Sequence, residues 1–109
     1  MKKQEQIKIN KICDGVFNAS MREFWTTRVY EKTRLRTCQA WVYETRHFYI
    51  LKSYNTFIAC ISKRTNILYD NLRREYGYTS TSAQHISKFS KDYGVGTWGC
   101  EQRYTYREV

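Results

Sequence analysis

The sequence predicts an α+β fold in which an antiparallel β-meander of four to five strands carries an N-terminal helix and a helix from the C-terminal half. Two patterns predict this class. Residues 38–43 alternate in the manner of a strand, Cys38, Ala40 and Val42 against Gln39, Trp41 and Tyr43. Ile86, Phe89 and Tyr93 instead follow the spacing of one helix face. With 109 residues, 41% of them apolar, the chain predicts a single domain over 1–109.

The first third of the sequence predicts one helix, which follows a basic and polar segment. Residues 1–13 are basic and polar, and predict either a short strand or a flexible basic arm. Asp14-Gly15 indicates a turn. Ser20 and Glu23 have the spacing of a capping box, so a helix is expected from there to about Thr33. Thr26-Thr27 and Val29 weaken this helix and leave a strand open as the alternative.

Three further strands are expected in the middle of the chain, and one near its end. The apolar runs 47–51, 56–62 and 67–69 predict consecutive strands, and 63–66 predicts a hairpin turn between the last two. Residues 100–106 alternate again and predict an edge strand.

The second helix has signals at both ends. Thr81 is a favourable N-cap, and Gln84 three residues later completes a capping box. Gly94 is expected to end the helix in the left-handed conformation.

Positive charge is the clearest functional signal, because the formal net charge is +9. Such a surface favours phosphate-rich or acidic partners. The bases cluster in the first half of the chain and recur at an Arg-Arg pair. The expected partner-binding residues are Arg28, Lys32, Arg34, Arg36, Arg73 and Arg74.

Aromatic side chains are interleaved with the first basic cluster. Tyr30, Trp41 and Tyr43 lie within the same stretch as its cations. Proteins that bind single strands combine a basic groove with stacking rings in this way. The alternation of Trp41 and Tyr43 with apolar residues favours the other interpretation, packing on the sheet.

The four cysteines leave two alternatives. They are Cys13, Cys38, Cys60 and Cys100, without a Cys-x-x-Cys pair. Cysteines inside apolar runs behave as small hydrophobes. The four thiols could instead converge on a structural zinc ion, with His47 or His85 nearby. No other cofactor is expected.

The remaining motifs do not predict catalysis. Residues 94–99 spell Gly-x-Gly-x-x-Gly, but a helix precedes them and a strand follows, the reverse of a dinucleotide site. His85 follows a row of hydroxyl residues without a carboxylate close in sequence to orient it. We therefore expect a protein that is not an enzyme. The longest apolar run has five residues, and no signal peptide is apparent, so a cytoplasmic protein without membrane contact is expected.

Residues 53–94 carry a family resemblance. Ser53-Tyr54-x-Thr56-x-Ile58-Ala59, followed by Tyr78-Thr79-x-Thr81-Ser82-x-x-His85-x-x-x-Phe89, resembles a family of small proteins from bacteriophages and mobile elements of low-GC Gram-positive bacteria. The family has no agreed function. This sequence has Thr79 where the family pattern has serine, and Ser82 where it has threonine. The segment around Asn71–Glu75 is longer than is usual in the family.

The resemblance implies a genetic context in which small proteins often block host defences. The expected function is therefore a phage or mobile-element inhibitor that binds a host defence protein or ribonucleoprotein, above all a CRISPR effector nuclease (an anti-CRISPR protein). The alternative is a nucleic-acid-binding accessory or regulatory protein, which the positive charge also suits.

Overall fold

A computed structural model describes residues 2–109 as a six-stranded mixed sheet with a long helix on one face and a shorter helix on the other. The α+β class is confirmed, with six strands instead of four or five. The elements are α1 (Lys2–Thr26), β1 (Glu31–Arg34), β2 (Ala40–Glu44), β3 (Phe48–Ser53), β4 (Thr56–Ser62), β5 (Ile67–Asp70), α2 (Leu72–Glu75), α3 (Ser80–Tyr93) and β6 (Gln102–Thr105).

The strands lie in the sheet in the order of the sequence, from β1 at one edge to β6 at the other. The first five are antiparallel neighbours, as expected for a meander. The expected edge strand near the C-terminus is β6, but it runs parallel to β5. The physical reason is the connection, because α3 carries the chain back to the starting end of β5 before β6 begins.

Each face of the sheet has its own apolar cluster. Neighbouring residues on β3, Ile50 and Leu51, are both fully buried and belong to different clusters. Leu51 packs with Ile86 and Phe89 of α3. Ile50 packs with Cys13 and Phe17 of α1. Period-two alternation therefore sends successive side chains of one strand into two cores.

The predicted N-terminal helix is confirmed, but its predicted bounds were wrong. Residues 2–13 are neither a strand nor an arm but the first half of α1, and Asp14-Gly15 lies inside that helix. Ser20 is not a cap, because it is fully buried in the helix and its hydroxyl donates to the Phe17 carbonyl at 2.7 Å. The helix ends at Thr26 instead of about Thr33, and the strand in this region, β1, begins only at Glu31.

Long-range hydrogen bonds explain this difference. The Asn10 side chain donates to the Arg107 carbonyl at 2.7 Å and accepts from the Arg107 amide at 3.0 Å. Gln6 donates to the Thr105 carbonyl at 2.9 Å. These polar residues occupy the helix face that meets the protein, so a purely apolar stripe is missing from the sequence.

The caps of α3 also differ from the prediction. Its N-cap is Thr79, whose hydroxyl accepts from the Ser82 amide at 3.2 Å, so Thr81 and Gln84 do not form the box. The helix does end at Tyr93, but Gly94 has φ of −76° and is not left-handed. Glycine is required there because a Cβ would collide with backbone atoms of Ser90, Gly99 and Cys100.

Candidate nucleic-acid interface

One face of β1, β2 and β3 carries cations and rings in alternation. The registers align Arg34 with Trp41, Trp41 with Lys52, and Lys52 with Phe57 across four neighbouring strands. Directly opposed residues of antiparallel strands point to the same side of the sheet. The result is a row of cation, ring, cation and ring. We call the set Lys32, Arg34, Trp41, Tyr43, Lys52 and Tyr54 the basic-aromatic face.

Lysine side chains lie over the rings of this face. The Lys32 ammonium is 5.9 Å from the ring centroid of Trp41 and 5.5 Å from that of Tyr43. The Lys52 ammonium is 5.3 Å from the ring centroid of Phe57. Both lie within the range of cation–π attraction, which favours the flat arrangement of rings and cations along the sheet.

Helix α1 leaves this part of the sheet open. It lies across β4, β5 and β6, and its C-terminal end reaches the face through Phe24, which meets the Tyr43 ring edge-on at 5.3 Å. Next to Phe24, Trp25 is 75% exposed. A shallow hollow of about 140 Å³ is lined by Lys32, Trp41, Tyr43, Lys52, Tyr54 and Asn55.

Tyr54 has an unusual backbone at the rim of the face. It is a large residue with φ of +53° in the turn between β3 and β4, and it is 45% exposed. Its amide donates to the Gln39 carbonyl at 2.8 Å, which holds this conformation. Strained residues of this kind gather at functional sites, so Tyr54 joins the candidate residues.

The structure divides the six expected partner-binding residues. Lys32 and Arg34 are exposed on β1, and Arg28 is exposed in the segment before it. Arg36 is occupied, because its guanidinium holds Asp92 with two hydrogen bonds of 2.8 and 2.9 Å.

Arg73 and Arg74 lie on α2, which follows β5 near the other edge of the sheet. The Arg73 guanidinium is 4.7 Å from the Tyr78 ring centroid, and Arg74 pairs with Asp14 and Glu75. The predicted set is therefore two separate groups. Sequence reasoning did not assign Lys52 or Tyr54 to the binding site, although Tyr54 belongs to the motif that carries the family resemblance.

The cysteines do not come together. Cys13 and Cys60 belong to the cluster under α1, whereas Cys38 and Cys100 pack against the cluster under α3. Burial raises the pKa of the Cys13 and Cys60 thiols to about 12, with Asp70 also raising that of Cys13. Within residues 2–109, no group of three or more His, Cys, Asp or Glu side chains is placed to hold a metal ion. The two pairs of thiols lie on opposite faces of the sheet and are not one ligand set.

The hydroxyl and histidine residues of the 53–94 segment form a buried polar cluster. His85 Nδ1 lies 2.8 Å from Ser53 Oγ, which lies 3.0 Å from Ser82 Oγ. Burial, and then the Lys88 charge, lowers the pKa of His85. In the part of the chain that the structure describes, no carboxylate hydrogen-bonds to the imidazole. The cluster ties the end of β3 to α3, which suits a neutral structural histidine.

The lowered pKa of His85 predicts a pH-dependent stability. The unfolded chain protonates this imidazole near its ordinary pKa of 6.5, before the folded chain does. The free energy of unfolding should therefore fall as the pH drops through about 6.5, and this fall should end below the folded pKa. Urea unfolding at several values between about pH 7.5 and pH 5 measures it. The His85→Gln variant should lack this part of the slope, and an identical slope in both proteins would contradict the assignment.

No helix within residues 2–109 has the length and apolar character needed to cross a membrane. Comparisons with protein-family models, with curated proteins and with solved structures give no match to this chain. The resemblance of residues 53–94 to a phage family therefore stays a prediction.

Proposed function

We propose that this protein is a non-catalytic binding protein that holds single-stranded nucleic acid on its basic-aromatic face. The observation that carries the proposal is the row of Arg34, Trp41 and Lys52 across three neighbouring strands. Lysine and arginine neutralise phosphates, and aromatic rings stack on bases without regard to their sequence. A sheet that offers both at neighbouring positions suits an extended single strand better than a duplex.

The proposal predicts salt-dependent binding with separable contributions from charge and stacking. An oligonucleotide of about 12 nucleotides matches the site sizes of such domains, and anisotropy titrations between about 50 and 200 mM salt give the slope. Lys32→Gln and Lys52→Gln should each reduce the slope of log K against log salt by about 0.7. Trp41→Ala should weaken binding about 5- to 150-fold, since one stacked base contributes about 1–3 kcal/mol.

A charge-matched pair of control variants distinguishes binding at the basic-aromatic face from non-specific attraction of the oligonucleotide to a positively charged protein. Lys8 and Lys11 are exposed on α1, which covers β4, β5 and β6. Lys8→Gln and Lys11→Gln remove the same charge as the two lysine variants of the face, and should leave the salt slope nearly unchanged. Equal losses in both pairs, or no salt-dependent binding to the oligonucleotide, would overturn the proposal.

A second candidate function is the inhibition of a host defence complex, such as a CRISPR effector nuclease. An exposed apolar turn favours it. Val95 is 85% exposed and Trp98 86% exposed, on a segment held by the bonds from the Val95 amide to Asn66 and from the Cys100 amide to Ser90. An aromatic side chain held outside the fold resembles the anchors that fill apolar pockets of partner proteins.

The two candidates are separated by one comparison. A guide-loaded effector nuclease from the host cleaves DNA in the presence of the wild-type protein or of Trp98→Ala. Inhibition by the wild type that Trp98→Ala loses, with oligonucleotide binding unchanged, supports the inhibitor. Unaltered cleavage together with tight, salt-dependent oligonucleotide binding supports the nucleic-acid binder alone.

A further inference from the structure

The two edge strands of the sheet, β6 and β1, differ in whether other residues hydrogen-bond to their outward backbone groups. At the β6 edge, residues 104 and 106 bond to β5, so the backbone groups of Thr105 and Arg107 point outward. Gln6 and Asn10 of α1 take up those outward groups, namely the Thr105 carbonyl and both the amide and the carbonyl of Arg107. Side-chain amides of a helix thus close this edge.

The β1 edge is open, and its outward groups can be assigned. The Leu35 amide donates to the Ala40 carbonyl at 2.9 Å, so residues 35, 33 and 31 bond to β2. Bonding alternates along an antiparallel strand, so the amides and carbonyls of Lys32 and Arg34 point away from the sheet. In residues 2–109, no backbone or side-chain partner takes up these groups. All four residues of β1 are exposed.

The charges of β1 exclude a second copy of this chain. Outward-bonding residues must face each other in an added antiparallel strand. Self-pairing would place Lys32 opposite Lys32, Lys32 opposite Arg34, or Arg34 opposite Arg34. Like charges directly opposite each other destabilise a sheet. Glu31 bonds inward to β2 and cannot relieve this repulsion.

The same cations leave the edge accessible to a different strand. Lys32 folds over the Trp41 and Tyr43 rings, and the Arg34 guanidinium donates to the carbonyls of Cys38 at 2.9 Å and Thr37 at 3.2 Å. Both charges are therefore held over β2 and the turn after β1, and the outward backbone groups of Lys32 and Arg34 are left uncovered. An added strand with carboxylates at alternate positions would meet one cation at each of them.

We propose that the β1 edge binds an extended, acidic segment of a partner protein as a seventh strand of the sheet. Backbone hydrogen bonds to residues 32 and 34 would supply the pairing, and the two cations would select alternating acidic side chains. The inference shares Lys32 and Arg34 with the basic-aromatic face, but it adds the outward backbone groups of β1 and does not need Trp41 or Lys52, so the two proposals can be tested separately.

The test uses a synthetic peptide of alternating Thr and Glu. A peptide of alternating Thr and Lys, which carries the opposite charge, is the control. The acidic peptide should shift the backbone amide signals of Lys32 and Arg34 in NMR spectra and slow their hydrogen exchange. N-methylation of its edge-facing amides should weaken binding by about tenfold or more, since each lost hydrogen bond contributes about 1 kcal/mol. The lysine peptide should not bind.

Two variants at one position separate the backbone from the charge. Lys32→Gln and Lys32→Pro remove the same charge, but only proline removes the outward amide, a position where an edge strand tolerates it. Peptide binding should be weaker in Lys32→Pro than in Lys32→Gln. Lys52→Gln should reduce oligonucleotide binding and leave peptide binding unchanged, which keeps the two proposals distinguishable.

Three outcomes would overturn the seventh-strand proposal. One is unchanged exchange of the Lys32 and Arg34 amides at saturating acidic peptide. Another is equal binding of the acidic and basic peptides. The third is a dimer in sedimentation that forms through β1, because the charge argument excludes it.

Discussion

Replacing Phe89 with alanine is expected to lower the free energy of unfolding by about 3–5 kcal/mol. The Phe89 side chain is fully buried on α3 and belongs to the cluster that joins this helix to the sheet. The variant loses the transfer free energy of the ring and leaves a cavity between rigid elements. A domain of this size has a total stability of roughly 5–15 kcal/mol, so much of it would be lost.

Urea unfolding followed by circular dichroism measures this effect. Val95→Ala serves as the control, because Val95 is 85% exposed and its substitution should change stability by less than about 0.5 kcal/mol. A loss of less than about 1.5 kcal/mol in Phe89→Ala would show that α3 is not packed as described.

Replacing Arg103 with methionine is expected to lower the free energy of unfolding by about 2–3 kcal/mol, because the buried Asp70 carboxylate loses its partner. Arg103 donates to Asp70 at 2.6 Å, and only 3% of the Asp70 side chain is exposed. Breaking a fully buried pair costs about 3–5 kcal/mol, and a smaller cost is expected here because the Arg103 side chain is 40% exposed. The Arg103→Met variant retains much of the apolar stem while removing the charge.

A double variant tests the cause. Asp70→Asn can still accept from the Leu72 amide, which is 3.0 Å from the Asp70 carboxylate, but has no charge to bury. Asp70→Asn combined with Arg103→Met should therefore be more stable than Arg103→Met alone. Additive losses in urea unfolding would place the cost in the packing of Arg103 and not in the unpaired charge.

The candidate site was only partly predictable from the sequence. Lys32 and Arg34 are recognisable as a basic cluster in the printed chain. Lys52 joins them through the pairing of β2 with β3, which places it opposite Trp41. The pairing of β3 with β4 shifts between Leu51 and Lys52, and this shift places Phe57 opposite Lys52. An irregularity of this kind decides which face a side chain occupies, and the local sequence does not specify it.

The exclusion of Arg36 from the basic-aromatic face also depends on a contact between residues that are distant in the sequence. Arg36 belongs to the basic cluster in sequence, yet its partner Asp92 is 56 positions away, on α3. Charge counts in the sequence cannot separate a free cation from one that a distant carboxylate occupies.

The sequence alone determined the class of the fold, the limits of β4 and the end of α3, because continuous apolar runs and helical stripes act locally. Tertiary structure decided that residues 2–19 are helical as well, since the buried Asn10 finds its partner Arg107 97 positions later. It also decided the parallel direction of β6 and the difference between a closed and an open edge. The parallel direction follows from the connection through α3, and the closed edge follows from hydrogen bonds between α1 and residues 105 and 107, which no local pattern contains.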